Sequence, residues 1–281
     1  MLKEFLRKIV LEKRAAGVPD FVIRNFLKEY LQYPVLEFLY GDPQYKNFIF
    51  TGGSCLRICF GAPRLSEDLD FDLSEKDFKK FDLAKLGQEA KDYFEKKYLL
   101  KIETCQQGKQ RLYLKFPVLK ELGLTKENES DLLFVKIETS LSPFKNPGTE
   151  ITPLSKYGFN FVAINYTLSY LMTGKLYAIF SREWFEGKEN EIDIKGCDFY
   201  DLFWYFQNGV LPDWKNLKKL TGISGEGQLK KELKKRIKAK VTPQKLSMTS
   251  KTFFPTKISF PASAKIMGRL WKSIFSSRYY S

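Results

Sequence analysis

The fold of this chain is decided by two neighbouring stretches, FIFTGGS at residues 48–54 and RLSEDLDF at residues 64–71. The first predicts a buried strand that breaks at a Gly-Gly-Ser turn, and the second predicts a strand with two aspartates separated by one leucine. Because side chains alternate along a strand, Asp68 and Asp70 point to one face while their apolar neighbours point into the core. The pattern therefore predicts a strand–turn–strand unit that displays two carboxylates together.

Two carboxylates in this arrangement suit a divalent metal ion, and the glycine turn suits a phosphate. Mg²⁺ takes hard oxygen ligands and completes its shell with water and phosphate oxygens. Gly52 and Gly53 let the backbone approach a ligand closely, and Ser54 stands where a helix would begin, so its N–H and hydroxyl can meet a phosphate. Taken singly, a Gly-Gly-Ser is more often a tight turn and an Asp-x-Asp a solvated strand edge, but their joint occurrence favours one metal and phosphate site.

Composition excludes several kinds of catalysis. The chain has 281 residues, of which 43% are hydrophobic and none is histidine. The absence of histidine rules out Ser/His/Asp and Cys/His catalysis and zinc sites built on histidine. The length suggests two domains. No secretory leader and no run of about eighteen apolar residues is evident, so we expect a cytoplasmic protein without a membrane segment.

The positive charge of the chain is concentrated in one segment. The formal net charge is +14, and the segment from Lys230 to Arg278 carries fourteen Lys and Arg against the single acid Glu232. Residues 1–229 together therefore carry only +1. The predicted tail at residues 242–281 either binds the phosphates of RNA, is disordered, or is a frame-shifted version of the original end, and the sequence leaves these alternatives open.

The first motif resembles that of a known enzyme family. Gly52-Gly53-Ser54 followed by Arg64-x-Ser66-x-Asp68-Leu69-Asp70-Phe71 is similar to the first motif of the nucleotidyltransferase superfamily, most closely the AbiEii/AbiGii toxins of toxin–antitoxin and phage-defence systems. The resemblance implies an α+β fold, with a nucleotidyltransferase palm built on a small mixed sheet and followed by a mainly helical domain. It also implies that a metal ion, Mg²⁺ or Mn²⁺, is held by Asp68 and Asp70, and that phosphates are bound by Gly52, Gly53, Ser54, Arg64 and Ser66.

A third carboxylate is expected on a neighbouring strand. The run LLFVKIET at residues 132–139 predicts a strand with Lys136 and Glu138 on its polar face. Polymerase-like palms carry a third acid on such a strand, and Glu138 stands where the resemblance would put it, as a catalytic general base or a further metal ligand. The alternative is that Glu138 is simply a charged residue on the solvent-exposed face of the sheet, which explains the same pattern. Asp72, on the face of the first two aspartates, is likewise either a further ligand or a solvated strand end.

A third motif falls in a predicted long helix over residues 167–185. The run TGKLYA at residues 173–178, followed by Arg182, resembles the family's third motif, whose lysine meets the triphosphate. The resemblance makes Lys175 a catalytic cation that neutralises charge on the leaving pyrophosphate, and adds Arg182 to the phosphate-binding residues. Two cations on one helix face are also often simply solvated.

The fourth motif follows in the run KGCDFYDL at residues 195–202. The family usually has Gly-Arg-Asp-x-x-Asp-Leu, so Cys197 replaces the arginine. The resemblance makes Asp198 a catalytic or acceptor-orienting carboxylate, although an aspartate at a helix start can merely cap it. It makes Asp201 a structural partner that holds Lys175 or a neighbour.

Together the motifs predict a palm domain with N-terminal helices over 1–145, a helical domain over 146–241 and a basic tail over 242–281. The expected activity is of the EC 2.7.7 type, in which an acceptor hydroxyl attacks the α-phosphate of a nucleoside triphosphate and pyrophosphate leaves. By resemblance the acceptor is a tRNA 3′ end or a protein, and a cognate antitoxin is the partner. The alternatives are a nucleotidyltransferase for small molecules of the antibiotic type, and a non-catalytic module that binds RNA or a protein on the same fold.

Overall fold

The computed structural model describes residues 2–126, 128–181, 196–240 and 242, which fall into two compact units, 1–166 and 167–281. The first unit contains α1 (Leu2–Ala15), α2 (Asp20–Gly41), β1 (Ile49–Thr51), α3 (Gly52–Phe60), β2 (Asp68–Leu73), α4 (Glu75–Lys80), α5 (Leu83–Tyr98), β3 (Glu103–Gln107), β4 (Arg111–Pro117), β5 (Leu132–Leu141), β6 (Thr149–Lys156) and β7 (Phe159–Tyr166). The described part of the second unit contains α6 (Leu168–Ser181), α7 (Gly196–Gln207), α8 (Trp214–Thr221) and α9 (Glu226–Lys240).

The first unit is built on a mixed sheet with the strand order β3-β4-β5-β2-β1-β7-β6. The central strand β2 is antiparallel to β1 and parallel to β5, and β1 is parallel to β7. Hairpins β3–β4 and β6–β7 form the two edges. The predicted α+β fold, a palm with a small mixed sheet followed by a mainly helical part, is confirmed.

The sheet separates an apolar face from a polar one. Phe50, Leu69, Phe71 and Ile137 are fully buried on one face, where α2 and α5 pack against the strands. Because strand side chains alternate, the aspartates of β2 and the charged residues of β5 must lie on the opposite face. Because the apolar residues of β2 and β5 are buried on one face of the sheet, the charged residues that alternate with them are held on the other face.

One predicted boundary is wrong. The sequence places the end of the palm at residue 145, in a loop rich in proline and glycine, but the units divide between Tyr166 and Thr167. The reason is that residues 149–166 form the hairpin β6–β7, which extends the sheet through the pairing of β7 with β1. The predicted basic tail 242–281 lies, apart from Thr242, outside the described residues.

The helical unit packs α6 against α7 and α8. Its buried side chains include Met172 and Leu176 of α6, Leu202 of α7 and Leu217 of α8. In the described part of the chain, no helix combines the length and the apolar character that crossing a membrane requires.

Candidate active site

The two aspartates of the first motif lie side by side on the polar face of the sheet. Strand register sets Asp68 opposite Lys136, and Asp70 opposite both Thr51 and Glu138. Since directly paired residues of neighbouring strands project to the same face, β2 and β5 bring two aspartates, a lysine and a glutamate together. The predicted common face of Asp68 and Asp70 is confirmed, and the register brings Glu138, which was expected on a neighbouring strand, to the same face.

Gly52 is required where it stands because the backbone touches Asp70. Its φ of +74° lies in the left-handed region. A Cβ at this position would be 2.1 Å from Oδ2 of Asp70 and 2.8 Å from its Cγ. Real Cβ atoms do not approach this closely, so only glycine allows the turn to meet the carboxylate. The glycine turn and Asp70 therefore lie in direct contact, and their joint use as a metal and phosphate site stays a prediction.

Gly53 serves the same purpose for the second half of the motif. A Cβ at Gly53 would lie 2.2 Å from Nη2 of Arg64 and 2.8 Å from Oγ of Ser66. Arg64 is only 3% exposed, and its Nη1 donates to the carbonyl of Leu65 at 3.0 Å. Arg64 thus supports the turn from within the protein, whereas Ser66 is half-buried. Their predicted phosphate contacts stay predictions, and for Arg64 the burial favours a supporting role.

Ser54 also faces inward. Its side chain is fully buried, and its hydroxyl donates to the backbone carbonyl of Asp68. Nε2 of Gln32, from α2, lies 3.5 Å from the Ser54 hydroxyl and donates to the carbonyl of Ser66 at 2.9 Å. In this arrangement the hydroxyl positions the start of β2, and the groups of the turn left for a phosphate are backbone N–H groups at the start of α3.

Glu138 is held between two cations. Nζ of Lys136 is 2.8 Å from Oδ2 of Asp68 and 3.0 Å from Oε2 of Glu138, and Nε of Arg111 is 3.3 Å from the same Oε2. Burial by itself would lower the pKa of Lys136, but Asp68 and Glu138 outweigh it and raise that pKa above its ordinary value. Burial would raise the pKa of Glu138, yet Lys136 and Arg111 hold it below the usual range. Both Lys136 and Glu138 therefore stay charged at neutral pH.

Asp72 is neither exposed nor solvated, so the prediction of a solvated strand end is wrong. It is 8% exposed, and its Oδ2 accepts a hydrogen bond of 2.7 Å from the hydroxyl of Tyr166. The hydroxyl of Ser142 lies 2.8 Å from that of Tyr166. Burial, with a smaller contribution from the charge of Asp70, raises the pKa of Asp72 to about 7. The sequence could not show this because Tyr166 and Ser142 come from β7 and from the loop after β5.

The helical unit holds the third and fourth motifs in one buried cluster. Nζ of Lys175, on α6, is 2.8 Å from Oδ1 of Asp198 and 2.9 Å from Oδ2 of Asp201, both on α7. The Asp201 side chain is only 1% exposed. The predicted partnership of Asp201 with Lys175 is confirmed, and the cluster joins α6 to α7. Arg182, the other predicted phosphate-binding cation of this unit, lies outside the described residues.

The residues on the polar face fit one hard divalent ion. Asp68 and Asp70 offer carboxylate oxygens from one strand, and Asp68 is about one third exposed. Glu138 is already bound by Lys136 and Arg111. Among the described residues, no group of three or more acidic or thiol side chains is arranged to hold a metal ion. Two carboxylates leave most of the shell of Mg²⁺ to water and substrate oxygens, which is usual for that ion.

Comparison with known proteins agrees with this geometry. The family model described as "Nucleotidyl transferase AbiEii toxin, Type IV TA system" matches residues 37–264, which include every motif discussed above. The chain belongs to the AbiEii family. The match confirms the resemblance found in the first, third and fourth motifs, and the family assignment makes the protein a nucleotidyltransferase of the toxin–antitoxin class.

Solved structures are similar to this AbiEii chain at low sequence identity. The crystal structure of JHP933 from Helicobacter pylori matches with a TM-score of 0.50 and 17% identity, over 89% of this chain and 91% of that one. A second H. pylori protein, provisionally described as a nucleotidyltransferase, matches with a TM-score of 0.44 and 16% identity over 88% and 93% of the two chains. An antigenic nucleotidyltransferase-like protein from Paracoccidioides brasiliensis matches with a TM-score of 0.40 and 14% identity over 81% and 94%. The first likeness supports the fold alone, and no curated protein is significantly similar.

Sequence reasoning missed three residues that complete the site. Lys136 was placed on the right face but not recognised as a partner of Asp68, although the alternation Lys-x-Glu beside Asp-x-Asp is a usable signal. Gln32 interrupts the aromatic and aliphatic run of residues 30–36 in α2, which is also a usable signal. Arg111 gave none, because its approach to Glu138 depends on the register of β4 with β5.

Proposed function

We propose that this AbiEii protein transfers a nucleotide from a nucleoside triphosphate to an acceptor by an EC 2.7.7-type reaction that depends on Mg²⁺. One observation carries the proposal: the Gly52 backbone lies so close to the Asp70 carboxylate that no side chain fits between them. A turn that offers N–H groups and a strand that offers carboxylates thereby meet within a few ångströms. This is the arrangement needed to hold the phosphates and the metal of a nucleoside triphosphate at once.

Asp68 and Asp70 would hold the ion, and Mg²⁺ or Mn²⁺ both suit carboxylate oxygens. When bound, such an ion supplies Lewis-acid stabilisation of the negative charge on the phosphates. The N–H groups of Gly53 and Ser54 at the start of α3 would bind phosphate oxygens, since the first amides of a helix have no partner within it. Ser54 and Gln32 keep the turn and the strand in register through their hydrogen bonds.

The family's third and fourth motifs keep their proposed roles. Lys175 would contact the triphosphate and Asp198 would act on the acceptor, as the resemblance implies. Within the helical unit these two side chains are already paired at 2.8 Å, and Asp201 fixes the lysine from its other side. The pairing holds the ammonium in one place, which is what a preorganised electrostatic contact requires.

For the acceptor, we propose RNA, with a tRNA 3′ end as the candidate, because α8 and α9 each present lysines opposite a buried apolar stripe. On α8 the buried residue is Leu217, and on α9 the stripe is Leu229, Leu233 and Ile237. Like charges at i,i+4 destabilise a helix slightly, so repulsion between these lysines opposes their accumulation on one helix face. A surface of lysines can neutralise the phosphates of a nucleic acid. The exposed lysines are Lys215, Lys218, Lys219, Lys231, Lys234, Lys235 and Lys238.

As a member of a type IV toxin–antitoxin family, the protein is expected to have a cognate antitoxin that neutralises it. The experiment that tests the proposed function is incubation of the purified protein with each radiolabelled nucleoside triphosphate, MgCl₂ and total cellular RNA. Label is expected to move to RNA with one or a few of the triphosphates. Label on added proteins would change the acceptor to a protein, and label on small acceptors such as aminoglycosides would favour the antibiotic-type alternative. If no acceptor gains label but the protein binds RNA, the enzyme proposal is wrong.

A further inference from the structure

The ammonium group of Lys136 stands where a cation is expected to be bound. The side chain rises from β5 directly opposite Asp68, on the face that carries Asp70 and Glu138. Its Nζ forms ion pairs with Asp68 at 2.8 Å and with Glu138 at 3.0 Å, and so bridges carboxylates of two different strands. Among the described residues, Lys136 is the one charged partner of Asp68 within 4 Å. The positive charge of a lysine in this position repels a metal ion, so both can be present only if the carboxylates of the cluster carry enough negative charge for the two cations.

The charge of the cluster supports one metal ion and not two. The cluster formed by the carboxylates of Asp68, Asp70 and Glu138 and the cations Lys136 and Arg111 carries a net charge of −1. One divalent ion changes this to +1, whereas two would give +3 before any phosphate is bound. Close like charges are costly where water is partly excluded. A second metal ion therefore lacks electrostatic support, and Glu138, the remaining carboxylate of the cluster, is already paired with Lys136 and Arg111.

We propose that Lys136 is a resident cation that takes the place of a second metal ion, so that the site binds one divalent ion through Asp68 and Asp70 and Glu138 is not a metal ligand. The inference deepens the proposed function and rests on it only in that the bound ion serves nucleotide transfer. Lys136 acts as a positioning residue: it holds Asp68 and Glu138 in place and sets the charge that the metal ion meets. Unlike a metal ion, it cannot dissociate.

The variants that test the proposal change the charge of the cluster in known steps. Lys136→Met leaves a net charge of −2, Glu138→Gln leaves 0, and the double variant restores −1. Lys136→Arg keeps the charge of the wild type. The matched control is Lys115→Met, because Lys115 lies two residues beyond Tyr113 on the same face of β4 and, in the part of the chain that the structure describes, has no acidic partner within 4 Å.

The readout is Mn²⁺ binding to the ligand-free protein, measured by electron paramagnetic resonance and calorimetry. We expect one Mn²⁺ to bind per wild-type chain. Its affinity should be about tenfold higher in Lys136→Met and about tenfold lower in Glu138→Gln. In three further variants, namely the double variant, Lys136→Arg and Lys115→Met, the affinity should stay within about threefold of that of the wild type. Without metal, Lys136→Met is expected to unfold at a lower temperature, and Mn²⁺ is expected to raise its midpoint more than that of the wild type.

Three results would overturn the proposal. The first is binding of two Mn²⁺ ions or of none to the wild type, and the second is unchanged or weaker binding to Lys136→Met. The third is loss of binding in the double variant, because it would make Glu138 a metal ligand. If Lys136→Met does not fold, Glu138→Gln and Lys136→Arg still decide: Glu138→Gln that keeps wild-type affinity, or Lys136→Arg that loses it, overturns the proposal. A protein that follows the predicted order but transfers no nucleotide would refute the proposed function while supporting this inference.

Discussion

The close contact between Gly52 and Asp70 can be tested by a pair of glycine substitutions at the two ends of α3. Gly52 and Gly61 both have a φ of +74°, so alanine meets the same backbone strain at either position. They differ in their surroundings: a Cβ at Gly52 would lie 2.1 Å from Oδ2 of Asp70, whereas a Cβ at Gly61 would have nothing within 4 Å. Gly61→Ala is therefore the matched control for Gly52→Ala.

The expected magnitudes follow from this difference. Left-handed backbone costs alanine about 1–2 kcal/mol, and the smaller freedom of the unfolded chain returns about 0.4–1 kcal/mol, so each variant should lose roughly 1 kcal/mol of stability. In Gly52→Ala the Asp70 carboxylate must in addition move by about 1 Å to reach an ordinary contact distance. A displacement of that size at a catalytic group costs about a hundredfold in rate.

The assay combines urea unfolding with transfer of a labelled nucleotide. We expect Gly61→Ala to lose stability and keep transfer within a few-fold of the wild type. Gly52→Ala is expected to lose about a hundredfold in transfer at a stability similar to that of the control. If Gly52→Ala transfers as well as Gly61→Ala, Asp70 does not need its observed position and the reasoning is wrong.

Three further predictions concern other parts of the chain. Folding raises the pKa of Asp72 from 3.8 to about 7, so the folded state binds the extra proton, and the stability that this group contributes is fully present below pH 4 and lost as pH rises through 7. Asp72→Asn should remove this loss, so the variant should be up to about 4 kcal/mol more stable than the wild type at pH 8 but little more stable at pH 4.5. Equal urea midpoints for the variant and the wild type at both pH values would contradict this prediction. Asp201→Ala should lower the free energy of unfolding by about 3 kcal/mol, because it removes a buried partner of Lys175. Glu226→Gln, which breaks a more exposed pair with Lys230, should lower it by less than about 1 kcal/mol. Similar losses in the two variants would show that the buried cluster does not stabilise the helical unit. Replacing Lys231, Lys235 and Lys238 with Gln should reduce the steepness of log RNA affinity against log salt concentration by about 2–3. The same change at the exposed Lys76, Lys80 and Lys96 should leave the slope unchanged. Equal slopes for the two triple variants would exclude α9 from RNA binding.

The sequence predicted the centre of the site well because its signals are local. Alternation along β2 placed Asp68 and Asp70 on one face, and the two glycines marked the turn beside them. Ser54 shows the limit of such reasoning: its position at a helix start suggests a phosphate contact, but Asp68 and Gln32 engage its hydroxyl inside the protein. A single sequence does not say which of two available partners a hydroxyl will take.

What the sequence could not show depends on pairing between distant strands. Residues 143–153 are rich in proline and glycine and suggest a link between domains, yet residues 149–156 form β6, and the next strand, β7, pairs with β1 more than a hundred residues earlier. The same pairing brings Tyr166 to Asp72. Register likewise decides that Glu138 meets Arg111 and Lys136. Nonlocal contacts of this kind leave little trace in local composition.

The most direct measurement of the central claim is nucleotide transfer by the variant in which Asp68 and Asp70 are both changed to Asn. These substitutions keep the size of the side chains and remove the charges that would hold a divalent ion. The control is Glu103→Gln, which removes an exposed carboxylate from β3 at the edge of the same sheet. The account predicts that the double variant folds, transfers no label and no longer arrests growth, while the control behaves as the wild type does. Transfer or growth arrest that persists in the folded double variant would contradict it.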